Sequence, residues 1–244
     1  MQFTSAIAFA ILAYTHAVMA TPVPTSTAVA PPPAPTTLSL TQQLFLSDTA
    51  VDRFKLLPDN GDFVFSFNQD QKGAGKGGRL IAANRKTFPA LVGSGSGMAV
   101  GFVGACGMNT LHVHPRGTEL QVVVQGRLVT EMAPENGVNN ADGTPRVISN
   151  TVNAFEMTPF YQGSVHVQFN PDCTDAVFVS SFNSEDFGAG QIANETFAFG
   201  NDVVAATFGQ SINGADIDKI RAAIPASIAL GVEECLMKCN IKKN

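Results

Sequence analysis

From Met98 to Phe182 the chain is a series of short β-rich runs cut by Gly, Asn, Asp and Pro: MAVGFVGA, LHVH, ELQVVVQG, RLVTEM, RVISNTV, AFEMT, SVHVQFN and AVFVSSF. Strands this short, with turn signals roughly every ten residues, predict an all-β sandwich or barrel. The length of 244 residues suits one domain with extensions and is ample for a large core. No internal repeat is visible, so a single barrel is expected. Upstream, DFVFSF at 62–67 alternates apolar and polar residues, as a half-buried strand does. QKGAGKGGR at 71–79 reads as a Gly/Lys loop; it lacks the phosphate-loop pattern and opens no helix. GSGSG at 93–97 breaks the chain before the next strand, and NGVNNADGT at 136–144 is a polar loop. After about residue 203 the pattern changes. Ala215 to Ala223 and Ser227 to Cys239 have helical spacing of apolar residues, with Pro225 between them.

Asp48 is the first charged side chain. Before it, AIAFAILAYTHAVMA reads as the apolar part of a secretory signal, with cleavage expected after Ala20. The run is shorter than the ~20 apolar residues a bilayer requires, and no later segment is apolar enough to span. Residues 21–37 are a Thr/Pro-rich linker that cannot build a core, which leaves 38–244 as the folded domain. The expected location is extracellular, with the cell wall as one site. Asn194-Glu195-Thr196 is an N-glycosylation acceptor in such a chain. A net charge of −5 with no basic run gives no reason to expect nucleic acid or an anionic membrane as partner.

The chain has four histidines, and His16 falls in the leader. The other three lie in LHVHPRGTEL and QGSVHVQFN. Residues two apart on a strand share a face, so His112 and His114 point the same way. Pro115-Arg116-Gly117 then supplies a turn and Glu119 begins the next strand. His166 lies on a separate run and joins them only if the sheet curls. Three neutral imidazoles and one carboxylate suit a divalent transition metal.

These residues carry a family resemblance. The stretch from Gly107 to Gly126 resembles the first motif of the cupin superfamily, and Gly163-Ser-Val-His166-Val-Gln-Phe-Asn170 resembles the second. HPRGTE, SFNSED and the C-terminal helices are similar to germins and spherulin-like cupins. Cys106, Phe155 and Tyr161 stand where the family has two glycines and a proline, which alters turns and not ligands. The resemblance implies a jelly-roll β-barrel with C-terminal helices, assembled as a homo-oligomer. It implies Mn²⁺ held by His112, His114, Glu119 and His166, while iron, copper and zinc also fit such ligands. Germins that oxidise oxalate carry two asparagines near the metal. Asn109 matches one, with holding of the loop before LHVH as its other reading; Ala99 stands in place of the second. Asn170 reads as turn-forming, and Arg116 as facing solvent.

Cys106, Cys173, Cys235 and Cys239 are an even set, which favours disulfides in a secreted chain. If the His112 and His166 runs pair antiparallel with their ligands facing, residue 106 falls opposite 172–174, and Cys106–Cys173 is the expected bridge. Cys235 and Cys239, one helical turn apart, leave two readings open: a strained pair, or two core-facing thiols.

The leading functional expectation is a secreted manganese oxidoreductase that dismutates superoxide. That reaction needs a redox metal, an open coordination position and protons. Oxalate oxidation is the second reading, with Ala99 against it. The third is a non-catalytic extracellular or wall protein in which metal stabilises the fold. The small-molecule partner is accordingly an oxygen species or a small carboxylate.

Overall fold

The computed structural model describes residues 37–71, 74–225 and 227–242. The leader at 1–20 and the Thr/Pro segment at 21–37 lie outside the described residues, but for Thr37. The strands are β1 (Gly78–Ala83), β2 (Gly97–Val103), β3 (Gly107–Val113), β4 (Glu119–Gln125), β5 (Arg127–Ala133), β6 (Ile148–Asn153), β7 (Met157–Phe160), β8 (Val165–Phe169), β9 (Ala176–Phe182), β10 (Gly190–Gln191) and β11 (Ile228–Leu230). The helices are α1 (Leu40–Leu46), α2 (Ala50–Lys55), α3 (Ile192–Thr196), α4 (Asn201–Thr207), α5 (Gly214–Ala223) and α6 (Glu233–Lys238).

The strands form two antiparallel sheets. One runs β1-β2-β9-β4-β7; the other runs β10-β3-β8-β5-β6, with β11 also paired to β3. Each of the eight runs from Met98 to Phe182 contains one strand, so the expected jelly roll is realised as two sheets packed face to face. Period-two burial drives that packing. On β4, Glu119, Gln121 and Val123 turn inward; on β9, Ala176, Phe178, Ser180 and Phe182 do. The apolar inward residues of one end meet those of the opposite sheet, with Val103, Val123 and Phe178 packed against Leu128 and Val152. One step along the strands, the inward row becomes polar: Gln121 and Ser180 are Cα partners on one sheet, and Thr130, Gln168 and Asn109 are aligned on the other.

Four expectations from sequence are corrected, three of secondary structure and one of disulfide pairing. The alternating segment 62–67 is not a strand. Asn60–Phe63 is a 3₁₀ turn, and beyond it Phe65 packs edge-on to Phe67 at 5.0 Å and tilted on Phe88 at 5.5 Å. Aromatic packing there replaces a sheet neighbour. The Gly/Lys loop ends early, because β1 begins at Gly78 and pairs with β2 along its whole length. Ser227 to Cys239 is not one helix. Ile228–Leu230 pairs with the free edge of β3, with Thr110 N–H donating to Ser227 O at 2.8 Å, and helix follows only from Glu233. Hydrogen bonds to an open sheet edge outweigh local helical spacing.

The bridge Cys106–Cys173 does not form either. Cys106 does lie against the strand-end loop as expected, its N–H donating to Asp172 O at 3.1 Å. The bridges are Cys106–Cys235 and Cys173–Cys239, with Cα–Cα distances of 5.6 and 5.3 Å. The physical reason is a match of spacings. One helical turn rises about 5.4 Å and neighbouring strands lie about 4.8 Å apart, so Cys235 in α6 and Cys239 at its C-cap each reach one of the two adjoining strand-end turns. Asn170 completes the loop. Its amide donates to the Val103, Gly104 and Thr174 carbonyls, and its Oδ1 accepts from Asp172 N–H.

Cys106 and Phe155, which stand where the resemblance has glycines, adopt φ of 54° and 68°. The left-handed turns are thus kept without glycine, at about 1 kcal/mol each.

Candidate metal centre

His112 lies near the end of β3, His114 just past it, Glu119 at the start of β4 and His166 near the start of β8. His112 and His166 are Cα partners across β3 and β8. The register slips by one residue between Asn109 and His112. That bulge turns both side chains inward despite their odd spacing. All four candidate ligands are buried, and one ligand atom from each lies within 4.8 Å of the others.

The backbone fixes the state of each ring. His112 Nδ1 meets Thr110 O at 2.7 Å, His114 Nδ1 meets Gly188 O at 2.6 Å, and His166 Nδ1 meets Ser164 O at 2.9 Å. A carbonyl oxygen only accepts, so each Nδ1 carries a proton, and in the neutral ring each Nε2 presents a lone pair to the interior. Glu119 Oε2 lies 2.9 Å from His114 Nε2 and 3.2 Å from His166 Nε2. Its Oε1 accepts from Ser180 Oγ. Stacking holds the rings further: Phe160 lies parallel to His166 at 4.3 Å, and Phe182 meets His114 edge-on at 4.7 Å.

Burial, then the neighbouring His166, push the His112 imidazole down to about 3, so it is neutral at ordinary pH. Burial pushes the Glu119 carboxyl up; whenever the His114 or His166 ring is protonated at Nε2 as well, its hydrogen bond and charge outweigh burial and hold the group below the usual carboxylate range. Three inward lone pairs and an anionic oxygen at hydrogen-bond distance repel one another unless a cation lies between them. The donor set therefore fits a metal, and imidazole with carboxylate suits the manganese, iron, copper and zinc class.

The remaining candidates fall as follows. Asn109 is buried, with its amide directed to Gln168 Oε1 at 3.1 Å and to His112 Nε2 at 3.4 Å. Ala99 is buried on the wall of a cavity of about 210 Å³ that also exposes His112, His114 and Glu119. Arg116 is exposed and paired with Asp186 at 3.0 Å. Asn194 is exposed on α3, away from the cavity lining. Sequence reading missed Ser180, Phe160 and the three carbonyl acceptors. A serine or phenylalanine in a strand carries no local mark, and a carbonyl has no sequence identity at all.

Two antiparallel sheets around an inward His₃-Glu cluster define a class of metal-site β proteins. The chain belongs to the cupin family, whose model, described as "Cupin", matches residues 66–215. Among cupins it is germin- and spherulin-like. Spherulin-1A of Physarum polycephalum is 35% identical over 205 residues, covering 82% of this chain and 78% of the relative. Spherulin-1B of the same organism is 32% identical over 237 residues, covering 96% and 90%. Germin-like protein 12-2 of Oryza sativa subsp. japonica is 35% identical over 107 residues, covering 42% and 45%. In structure, an oxalate oxidase in complex with the substrate analogue glycolate superposes with a TM-score of 0.59 at 22% identity, over 68% of this chain and 81% of that one. Vicilin from Corylus avellana reaches 0.58 at 17% identity, over 68% and 47%. Likeness at this level is of fold alone.

Proposed function

We propose that this chain is a secreted, metal-dependent oxidoreductase that holds Mn²⁺ through His112, His114, Glu119 and His166 and dismutates superoxide. The observation that carries the reading is the fixed tautomer of all three histidines, which aims three Nε2 lone pairs and Glu119 Oε2 at one point. A redox-active ion bound there supplies one-electron chemistry and an open coordination position. The protein's part is orientation. The Thr110, Gly188 and Ser164 carbonyls lock the rings, Ser180 holds Glu119 Oε1 so that Oε2 faces the centre, and Phe160 and Phe182 keep bulk water off the imidazoles. Dismutation consumes two superoxide anions and two protons and gives dioxygen and hydrogen peroxide, so no further co-substrate is needed. The test is elemental analysis of the purified protein, with a superoxide assay before and after chelation. Activity that tracks metal content supports the reading; equal, negligible rates with metal bound overturn it.

Two other readings rest on specific observations. Oxalate oxidation is supported by the place of Asn109 beside the cluster and opposed by Ala99 and by the engagement of the Asn109 amide with Gln168 and His112; oxalate-dependent peroxide would establish it. A metal-stabilised, non-catalytic extracellular or wall role is supported by the two disulfides and the exposed acceptor Asn194. Among the described residues no helix is long and apolar enough to cross a membrane. Secretion predicts a mature chain that starts at Thr21, followed by the linker to 37 and the domain from 38, all checked by N-terminal sequencing. A homo-oligomer belongs to the same proposal. Met98, Leu120 and Met157 are exposed on the outer side of the β1-β7 sheet, where apolar residues serve a partner better than water. Light scattering would measure the assembly.

A further inference from the structure

The lining of the cavity beside the cluster combines two unlike sets. His112, His114 and Glu119 are one, and Leu80, Ala82, Ala99, Phe178, Phe182 and Phe187 are the apolar other. Ala99, Phe182 and Phe187 pack as one cluster with Leu80 and Ala82 against it, so these five make continuous apolar surface. Register places Ala99 beside Ser180 in the inward row next to the ligands. Ala99, itself buried, places only a methyl group in that row.

The polar atoms of the lining are already engaged or of the wrong sign for a second anion. Ser180 gives its hydroxyl proton to Glu119 Oε1. Asn109 directs its amide hydrogens to Gln168 and His112, and its Oδ1 is buried without a partner. That oxygen is an acceptor, and it repels a second carboxylate on a ligand whose first is at the cluster. Among the described residues, no lysine or arginine lines the cavity. The guanidinium groups of Arg85 and Arg116 are both paired to Asp186, which is itself a lining carboxylate. Gln191 and Asn84 add only neutral dipoles, and Gln191 Oε1 already accepts from Thr110. A charge without a counter-charge is costly to bury, whereas apolar surface gains by burial.

We propose that the ligand of this centre is a small monocarboxylate with a compact aliphatic body, its anionic end toward the His₃-Glu cluster and its body against Leu80, Ala82 and Ala99. This rests on the metal reading above and goes beyond it by naming a ligand class that dicarboxylates do not satisfy. The experiment is calorimetric titration of the Mn²⁺-loaded full chain, its metal content first measured, with acetate, 2-methylpropanoate, malonate and oxalate. A free divalent ion in water favours the chelating dicarboxylates, so a reversed order reports the cavity. The expected result is affinity at least tenfold higher for 2-methylpropanoate than for acetate, and higher than for malonate or oxalate. Ala99→Asn, which sets a polar group in the apolar lining, is expected to erase most of that gain while metal content is unchanged. Equal affinity for acetate and 2-methylpropanoate, or tighter binding of either dicarboxylate, on protein with full metal content overturns the ligand class and leaves the metal reading standing. Protein that takes up no Mn²⁺ overturns both, and the metal analysis tells the two failures apart.

Discussion

Strands β3 and β8 are neighbours along their whole length, yet their two ends are built on opposite principles. At one end His112 and His166 face each other and, with His114 and Glu119, leave lone pairs directed at a common point. At the other end Cys106 and Cys173 are each tied covalently to α6 or its C-cap, and Asn170 satisfies three carbonyls with one amide. The first end is incomplete without a cation; the second is complete in itself. Between them lies the polar row of Asn109, Gln121, Thr130, Gln168 and Ser180, all buried, and then the apolar layer around Val103, Val123 and Phe178. The sandwich thus sets a cluster of unshared donors at one end and a covalently closed loop pair at the other.

The comparison breaks first if the metal end tolerates loss of a ligand. His166→Ala is expected to lower metal affinity by more than about 100-fold, beyond what loss of a supporting partner costs, as read by metal content after dialysis against a chelator. Retained metal would show that the cluster is not a single site. Next, Cys106→Ala with Cys235→Ala opens a bridge that spans 129 residues of sequence. Stability in denaturant is expected to fall by about 2–5 kcal/mol while metal affinity at pH 7 is kept. A parallel loss of metal would show that the ends are coupled.

The two ends also differ in their pH windows. His112 titrates near 3 when folded, against about 6.5 in an unfolded chain, so the unfolded state binds more protons between those values. Its contribution is fully present above pH 6.5 and is lost as pH falls toward 3. The metal-free protein is therefore expected to lose about 2 kcal/mol between pH 7 and 5 in denaturant melts, with flat stability as the contrary result. Protons compete with a metal for the folded His112 imidazole only at lower pH, as it falls toward 3. At the other end, the hydrogen bond from Arg127 outweighs a small burial effect and, with Lys238, lowers the Asp172 carboxyl to about 2. Its stabilisation is present above about pH 3.9, is lost only as pH falls toward 2, and is weakened by solvent screening.

Smaller changes sharpen the contrast. Ser180→Ala frees Glu119 Oε1 and is expected to cost metal affinity about tenfold, with no matching loss of fold stability; equilibrium competition with a chelator measures it. Phe155→Gly relieves a left-handed, exposed turn and is expected to stabilise the protein by about 0.5 kcal/mol, the strain relief being partly offset by glycine's freedom when unfolded; thermal melts decide it.

The strand runs from 98 to 182 were legible because alternation and breakers are local signals. His112, His114, Glu119 and His166 were legible because few other residues compete for their chemistry. What misled were segments whose partner is remote. DFVFSF alternates like a strand but finds aromatic neighbours instead of a sheet edge. SIAL has helical spacing but meets the open edge of β3. The cysteine pairing turned on where α6 crosses the strand ends, which no spacing within either segment encodes.

By itself, then, the sequence determined the class of fold and the identity of the inward donors, since periodicity and residue chemistry are properties of short stretches. Only the tertiary structure decided the tautomer of each histidine, the role of Ser180, the apolar lining around Ala99 and the bridges from α6. Each of these depends on a carbonyl, a side chain or a backbone edge brought from elsewhere in the chain, and packing alone sets those distances.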